Sequence, residues 1–189
     1  MQIRICSSLQ EVDAQAWNAH ANPAGLPCNP FVEHSFLLAL ETSGSATRKT
    51  GWLGQHLVLQ DASGRIEGVM PCYLKAHSQG EYVFDYAFAD AFERAGGRYY
   101  PKLQVSVPFT PVTGPRIMAA PGPKAETHRK YLLDGAMARR TSRTACAKGS
   151  AEAATSALHS PRECPAAPVK VAPSSRRTRN AATSSASAS

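Results

Sequence analysis

Residues His77–Arg116, HSQGEYVFDYAFADAFERAGGRYYPKLQVSVPFTPVTGPR, decide how this chain is read. Eight of the chain's fourteen Phe, Tyr and Trp residues lie there, with four prolines and four glycines. A segment that only fills a core is more aliphatic, and a flexible linker carries fewer rings. The stretch therefore predicts a shaped surface: an aromatic helix over 84–95, a strand over 102–109, and a proline-stiffened loop ending in Arg116. Phe88, Ala89 and Phe92 make the apolar stripe of that helix, and Asp90 and Arg94 pair at i,i+4 on its wet side. Gly96–Gly97 supplies its C-terminal stop.

Working outward, residues 56–61 and 66–74 flank the turn Asp61-Ala62-Ser63-Gly64 and predict a β-hairpin, with Pro71 demanding an edge or a bulge in its second strand. Residues 2–6 alternate as a strand does. Ser8 and Glu11 have capping-box spacing at the start of an amphipathic helix over 9–20, on which Trp17 is a core anchor, as Trp52 is further on. A second helix starts near Pro30, carries Phe36, Leu37 and Leu40 on one face and ends at Thr42–Gly44. A last helix is expected over 123–137. The order β-α-α-β-β-α-β-α is that of a mixed α/β layer fold with a largely antiparallel sheet flanked by helices.

Composition divides the chain. The net charge of +7 arises wholly from 138–189, where nine basic residues face only Glu152 and Glu163, while 1–137 is neutral. That tail has no aromatic residue, and 24 of its 52 residues are Ala or Ser. Ordering a residue costs roughly 1–2 kcal/mol of backbone entropy, which such a segment cannot offset by burial, so two units are expected: a folded 1–137 and a disordered basic tail, 138–189, with a frayed helix as far as Arg143. A nucleic-acid-binding arm and a shifted reading frame both account for the tail; its abrupt onset and lack of interleaved aromatics favour the second. The five cysteines show no metal-ligand spacing, no run of 18 apolar residues exists, and the N-terminus lacks signal-peptide character. A reduced, cytoplasmic protein is expected, with no metal site.

The strings NPFVEHSFLLALETSG, TGW, YLKAHSQGEYVFDYAFADAFERAG and YYPKLQVSVPFTPVTGPR, spanning residues 29 to 116, resemble the FemAB-like group of the GNAT superfamily, the peptidoglycan biosynthesis/recognition proteins. The resemblance implies a GNAT-like fold, often duplicated into two lobes, of which this chain carries the first. It implies transfer of an acyl or aminoacyl group to an amine, with acyl-CoA or aminoacyl-tRNA as donor and a cell-wall precursor as small-molecule or peptide acceptor. Residues 1–137 contain no Q/R-x-x-G-x-G/A pyrophosphate turn, so no cofactor is evident. An uncovered lobe surface would favour self-association. A non-catalytic module that binds a peptide or precursor is the alternative function.

Candidate site residues follow from the same stretch. Asp85 lies three, four and seven residues before Phe88, Ala89 and Phe92, and Glu81 lies four before Asp85. On the apolar stripe, Asp85 would have a raised pKa and suit a general base; at the helix start, it would cap free N–H groups instead. His77, four before Glu81, completes an acid/base set or is an ordinary loop residue. Tyr99, Tyr100, Lys102, Thr110, Thr113 and Arg116 form the expected binding surface, with the lysine and arginine supplying charge. The other reading of that surface is a rigid loop whose Thr-Pro pairs only end strands. Cys72, in phase with Met70 and Leu74, is a small core residue.

Overall fold

The structure is a computed structural model that describes residues 1–79, 84–153 and 169–170, with side chains for 1–79 and 84–139. Its elements in chain order are β1 (Gln2–Cys6), α1 (Ala14–Ala21), α2 (His34–Thr42), β2 (Trp52–Gly54), β3 (His56–Gln60), β4 (Ile66–Met70), β5 (Tyr73–Lys75), α3 (Tyr86–Arg94), β6 (Lys102–Gln104), α4 (Ala125–Ala153) and β7 (Val169–Lys170). The strands form two antiparallel sheets, ordered β4-β3-β1-β7 and β2-β5-β6. The fold is mixed α/β with antiparallel sheets and flanking helices, as the sequence implies.

Alternation along β1, β3 and β4 sorts side chains to the two faces of the main sheet. Cys6, Val58 and Val69 join Leu9, Val12, Trp17, Val32 and Leu37 from the α1–α2 side. Ile3, Leu57, Leu59 and Met70 join Leu132 and Ala136 of α4 on the other. Period-two patterning with both faces covered leaves β3 almost wholly buried. Two glycines let α4 come close: a Cβ on Gly135 would lie 2.9 Å from Ile3 Cγ1, and one on Gly68 would lie 3.1 Å from Leu132 Cδ1.

The expected hairpin is present and longer than its periodicity suggested. Register pairs Trp52 with Lys75, Gly54 with Tyr73, Leu57 with Met70 and Val58 with Val69, so a single two-stranded ribbon runs through both sheets. It is interrupted at Pro71, the position marked for an irregularity, where the chain passes from β4 of one sheet to β5 of the other. Gln55 N–H still donates to Cys72 O at 2.8 Å across the gap. At the far end, Asp61 Oδ1 accepts from Ser63 N, Ser63 Oγ and Arg65 N, and Gly64 takes a positive φ of 86°.

Four boundaries move. The Ser8–Glu11 capping box forms, but it caps a 3₁₀ turn at Leu9–Glu11; the helix starts at Ala14, capped by Asp13. Pro30 opens another short 3₁₀ turn before α2. The 102–109 strand stops at Gln104, which pairs with Tyr73, the first residue of β5, so the partner strand ends there; Phe109 further on is left-handed (φ 59°). Helix α4 crosses the composition boundary at 137, and Arg139 donates to Gln55 Oε1 at 2.7 and 3.2 Å. The remainder of the tail, apart from Val169–Lys170 beside β1, lies outside the described residues.

Gly54 is the tightest point of the ribbon, where an added Cβ would meet Ser7 O at 2.3 Å. Gly54→Ala should cost about 1–3 kcal/mol in urea unfolding, the scale of an overpacked interior. Gly64→Asn, at an open turn where nothing lies within 4 Å, should cost much less.

Candidate functional site

The short sheet β2-β5-β6 carries the residues that matter. Strand parity places Trp52, Lys75 and Lys102 in one row across it, with Tyr73 and Gln104 in the next row on the same face. Lys75 and Lys102 are therefore directly opposed like charges, an arrangement that costs energy unless each is answered separately. Lys75 is fully buried, donates to the carbonyls of His77 (2.6 Å) and Gln79, and holds its ammonium 4.3 Å from the Trp52 ring centre. Lys102 pairs with Asp85.

Helix α3 delivers Asp85 to that point. Asp85 is the N-cap residue of α3, with φ −111° and ψ 17°, but its side chain makes no cap hydrogen bond. Its carboxylate turns toward β6 instead, accepting from Tyr100 Oη at 2.9 and 2.8 Å and from Lys102 Nζ. After α3, Gly96 takes φ 79°, and its N–H donates to Glu93 O as that of Gly97 does to Phe92 O. Phe92 lies against Gly97, where a Cβ would come within 2.3 Å of its ring, and packs edge-on against Tyr99. Tyr99 and Tyr100 meet at 81° with centroids 5.0 Å apart, and the Tyr100–Pro101 peptide is cis. Lys102 Nζ stands 5.0 Å from the Tyr99 ring centre and 5.2 Å from that of Tyr100.

This geometry separates the candidates. Asp85, Tyr99, Tyr100 and Lys102 come together as one platform; Glu81 lies outside the described residues. The raised-pKa reading of Asp85 is corrected: burial pushes its carboxyl up, but the Lys102 and Tyr100 hydrogen bonds and the Lys102 charge outweigh burial and hold it below its ordinary value. Burial is real, but the stripe beside it is not the cause. Phe84 and Phe88 are 73% and 72% exposed, and α3 buries none of its own residues.

His77 sits apart, with its ring over Gly51 and its Nδ1 accepting the Gln79 N–H at 3.2 Å. Thr110, Thr113 and Arg116 belong to a loop that braces itself. Thr110 Oγ1 accepts the Val112 N–H, Asn29 Nδ2 donates to Thr113 O, and Arg116 donates to Val112 O at 2.6 Å and Pro115 O at 3.1 Å. Trp52, Tyr73 and Lys75 join the site through strand pairing, by the shared parity of residues 73 and 75 with 102 and 104, which no local pattern displays. Among the described residues, no group of three His, Cys, Asp or Glu side chains could hold a metal ion, and no helix is long and apolar enough to cross a membrane.

Residues 8–154 match the family model FemAB-like, described as peptidoglycan biosynthesis/recognition. This chain belongs to the FemAB-like family. No curated protein and no solved structure matches it. The match includes the whole platform and the part of α4 beyond residue 137, so the FemAB-like region outlasts the change in composition. The work of this FemAB-like protein thus lies in peptidoglycan biosynthesis or recognition.

Because the folded Asp85 carboxyl has a lowered pKa, its pairing stabilises the protein above the unfolded carboxyl value, about 3.9, and the contribution is lost as pH falls through the folded value. Asp85→Asn should be less stable than the wild type at pH 7, with the gap closing as pH drops below about 4. Urea unfolding of both proteins across that range measures it, and a gap independent of pH would remove the ion pair as its cause.

Proposed function

We propose that this chain is the acceptor-binding lobe of a FemAB-like acyl- or aminoacyltransferase, and that its platform holds the peptide part of a cell-wall precursor. The observation that carries this reading is the convergence of an ionised carboxylate, an ammonium and two tyrosine rings on one strand end. Stem peptides of peptidoglycan bear free carboxylates and amines on short aliphatic side chains, which match such a surface in charge and shape. Helix N-cap, β-strand and glycine-fixed turn all contribute, so the groups are held before the ligand arrives, which lowers the entropy lost on binding.

The lowered pKa of Asp85 favours positioning over deprotonation as the task of this residue. A carboxylate so well paired is a weak base toward an ammonium, whose ordinary pKa is near 10. Alignment of an acceptor against a donor carbonyl is itself worth several orders of magnitude in rate. The donor is acyl-CoA or aminoacyl-tRNA; a chain that binds and does not transfer would be the recognition module of the same family.

A soluble muropeptide carrying a free stem-peptide amine should bind the wild type in isothermal titration. Asp85→Ala should weaken that binding by about ten- to a hundredfold, the scale of 1.5–3 kcal/mol for a charge-assisted hydrogen bond. Undiminished affinity in a folded Asp85→Ala protein would overturn the reading. Mass spectrometry of the muropeptide after incubation with each donor separates transfer from recognition: a mass gain on the amine marks the transferase, and binding without it marks the module.

A further inference from the structure

The platform has the architecture of an ammonium cage, and its present occupant is part of the chain. Tyr99 and Tyr100 stand nearly perpendicular and form a two-walled corner. Lys102 Nζ lies in that corner at 5.0 and 5.2 Å from the two ring centres, within the ~6 Å over which a ring face attracts a cation. The Asp85 carboxylate closes a third side, kept in place by Tyr100 Oη on both of its oxygens. Aromatic walls with one fixed carboxylate are how proteins select a cation on an alkyl stem over a neutral group of the same size. The Lys102 side chain remains about a quarter exposed, whereas that of Asp85 is 9% exposed, so the lysine is the member of the pair that solvent reaches and the acceptor is the enclosed one.

We infer that the Asp85–Tyr99–Tyr100 corner is a binding site for the primary alkylammonium group of a ligand, and that Lys102 is a tethered competitor which the ligand displaces. This rests on the reading of the platform as the precursor-binding surface and adds to it a built-in occupant that a ligand must displace. The consequence is a sign that a simple binding role for Lys102 would not give. Removing a cation that grips an anionic ligand weakens binding, whereas removing a competitor strengthens it.

The probe is n-butylammonium, with n-butanol as the neutral control. Lys102→Met keeps the apolar stem and empties the charge; Lys102→Ala is the second variant, should the first alter the fold. In both, n-butylammonium should raise Tm and shift the tyrosine fluorescence, binding at least about tenfold more tightly than to the wild type, while n-butanol does neither. The double variant Asp85→Asn/Lys102→Met should lose the response. The proposal is overturned if n-butylammonium acts no more strongly on the lysine variants than on the wild type, or if the double variant responds equally. The muropeptide tells the two readings apart. Tighter binding to Lys102→Met than to wild type, abolished by acetylating the ligand amine, supports the cage on its natural class of ligand; tight binding that ignores acetylation overturns the cage and leaves the precursor-binding surface standing.

Discussion

The buried His56 imidazole, opposite Pro71 in the ribbon, is the constraint around which the rest of the fold is arranged. At Pro71 the chain leaves one sheet for the other, and the N–H of the following residue turns to a side chain. His56, fully buried at this step, is that partner: its Nδ1 accepts the Cys72 N–H at 3.3 Å. That role fixes the proton on Nε2, which donates to Glu41 Oε1 at 2.8 Å. Glu41 Oε2 in turn accepts from Ser8 Oγ at 2.7 Å and Leu9 N at 3.0 Å. Burial pushes the Glu41 carboxyl up, and these donors outweigh it, leaving it below its ordinary value. Each hydrogen bond to a charged group is worth about 1.5–3 kcal/mol, and a partner left bare in the interior costs a similar amount. One histidine thus ties the Pro71–Cys72 step, β3, α2 and the N-terminal turn into a single dependency, and its own aromatic contacts with Trp17 and Tyr73 pack around it.

Much of this arrangement is legible in the sequence because its signals are local. The capping box at Ser8–Glu11, the Asp61–Gly64 turn, the irregularity at Pro71 and the glycine stop after α3 each follow from conformational preferences of one or a few residues. Local signals say nothing where the deciding partner is distant. The Phe88–Phe92 periodicity identifies a helix correctly but says nothing of what lies opposite, and here that face of α3 meets solvent. The extent of α4 was hidden for the converse reason: Ala, Arg and Ser in its second half carry little periodicity, and contacts such as Arg139 with Gln55 are between residues 84 positions apart.

The site repeats the pattern. Asp85, Tyr99, Tyr100 and Lys102 were all recognisable as chemistry-bearing residues, but as members of separate groups, a base on one side and a cationic loop on the other. Their union depends on the turn at Gly96–Gly97 bringing the start of α3 to the start of β6, 17 residues apart in sequence. Once paired, carboxylate and ammonium alter each other, and the expectation of a raised pKa gives way to a lowered one. Arg116, which has no carboxylate near it in sequence, is engaged by backbone carbonyls of its own loop, a partnership that no charge pattern displays.

The continuous ribbon has a practical consequence for handling the molecule. Residues 52–60 cover about 30 Å of strand at ~3.3 Å each, with the platform sheet at one end and the exposed Ala62 tip at the other. Ala62 bears no side-chain bond of the turn, which is built by Asp61, Ser63 and Arg65. A solid support or a fluorophore attached through position 62 would therefore sit a full ribbon length along the chain from the ligand face, orienting every immobilised copy the same way and leaving its cage open to solution.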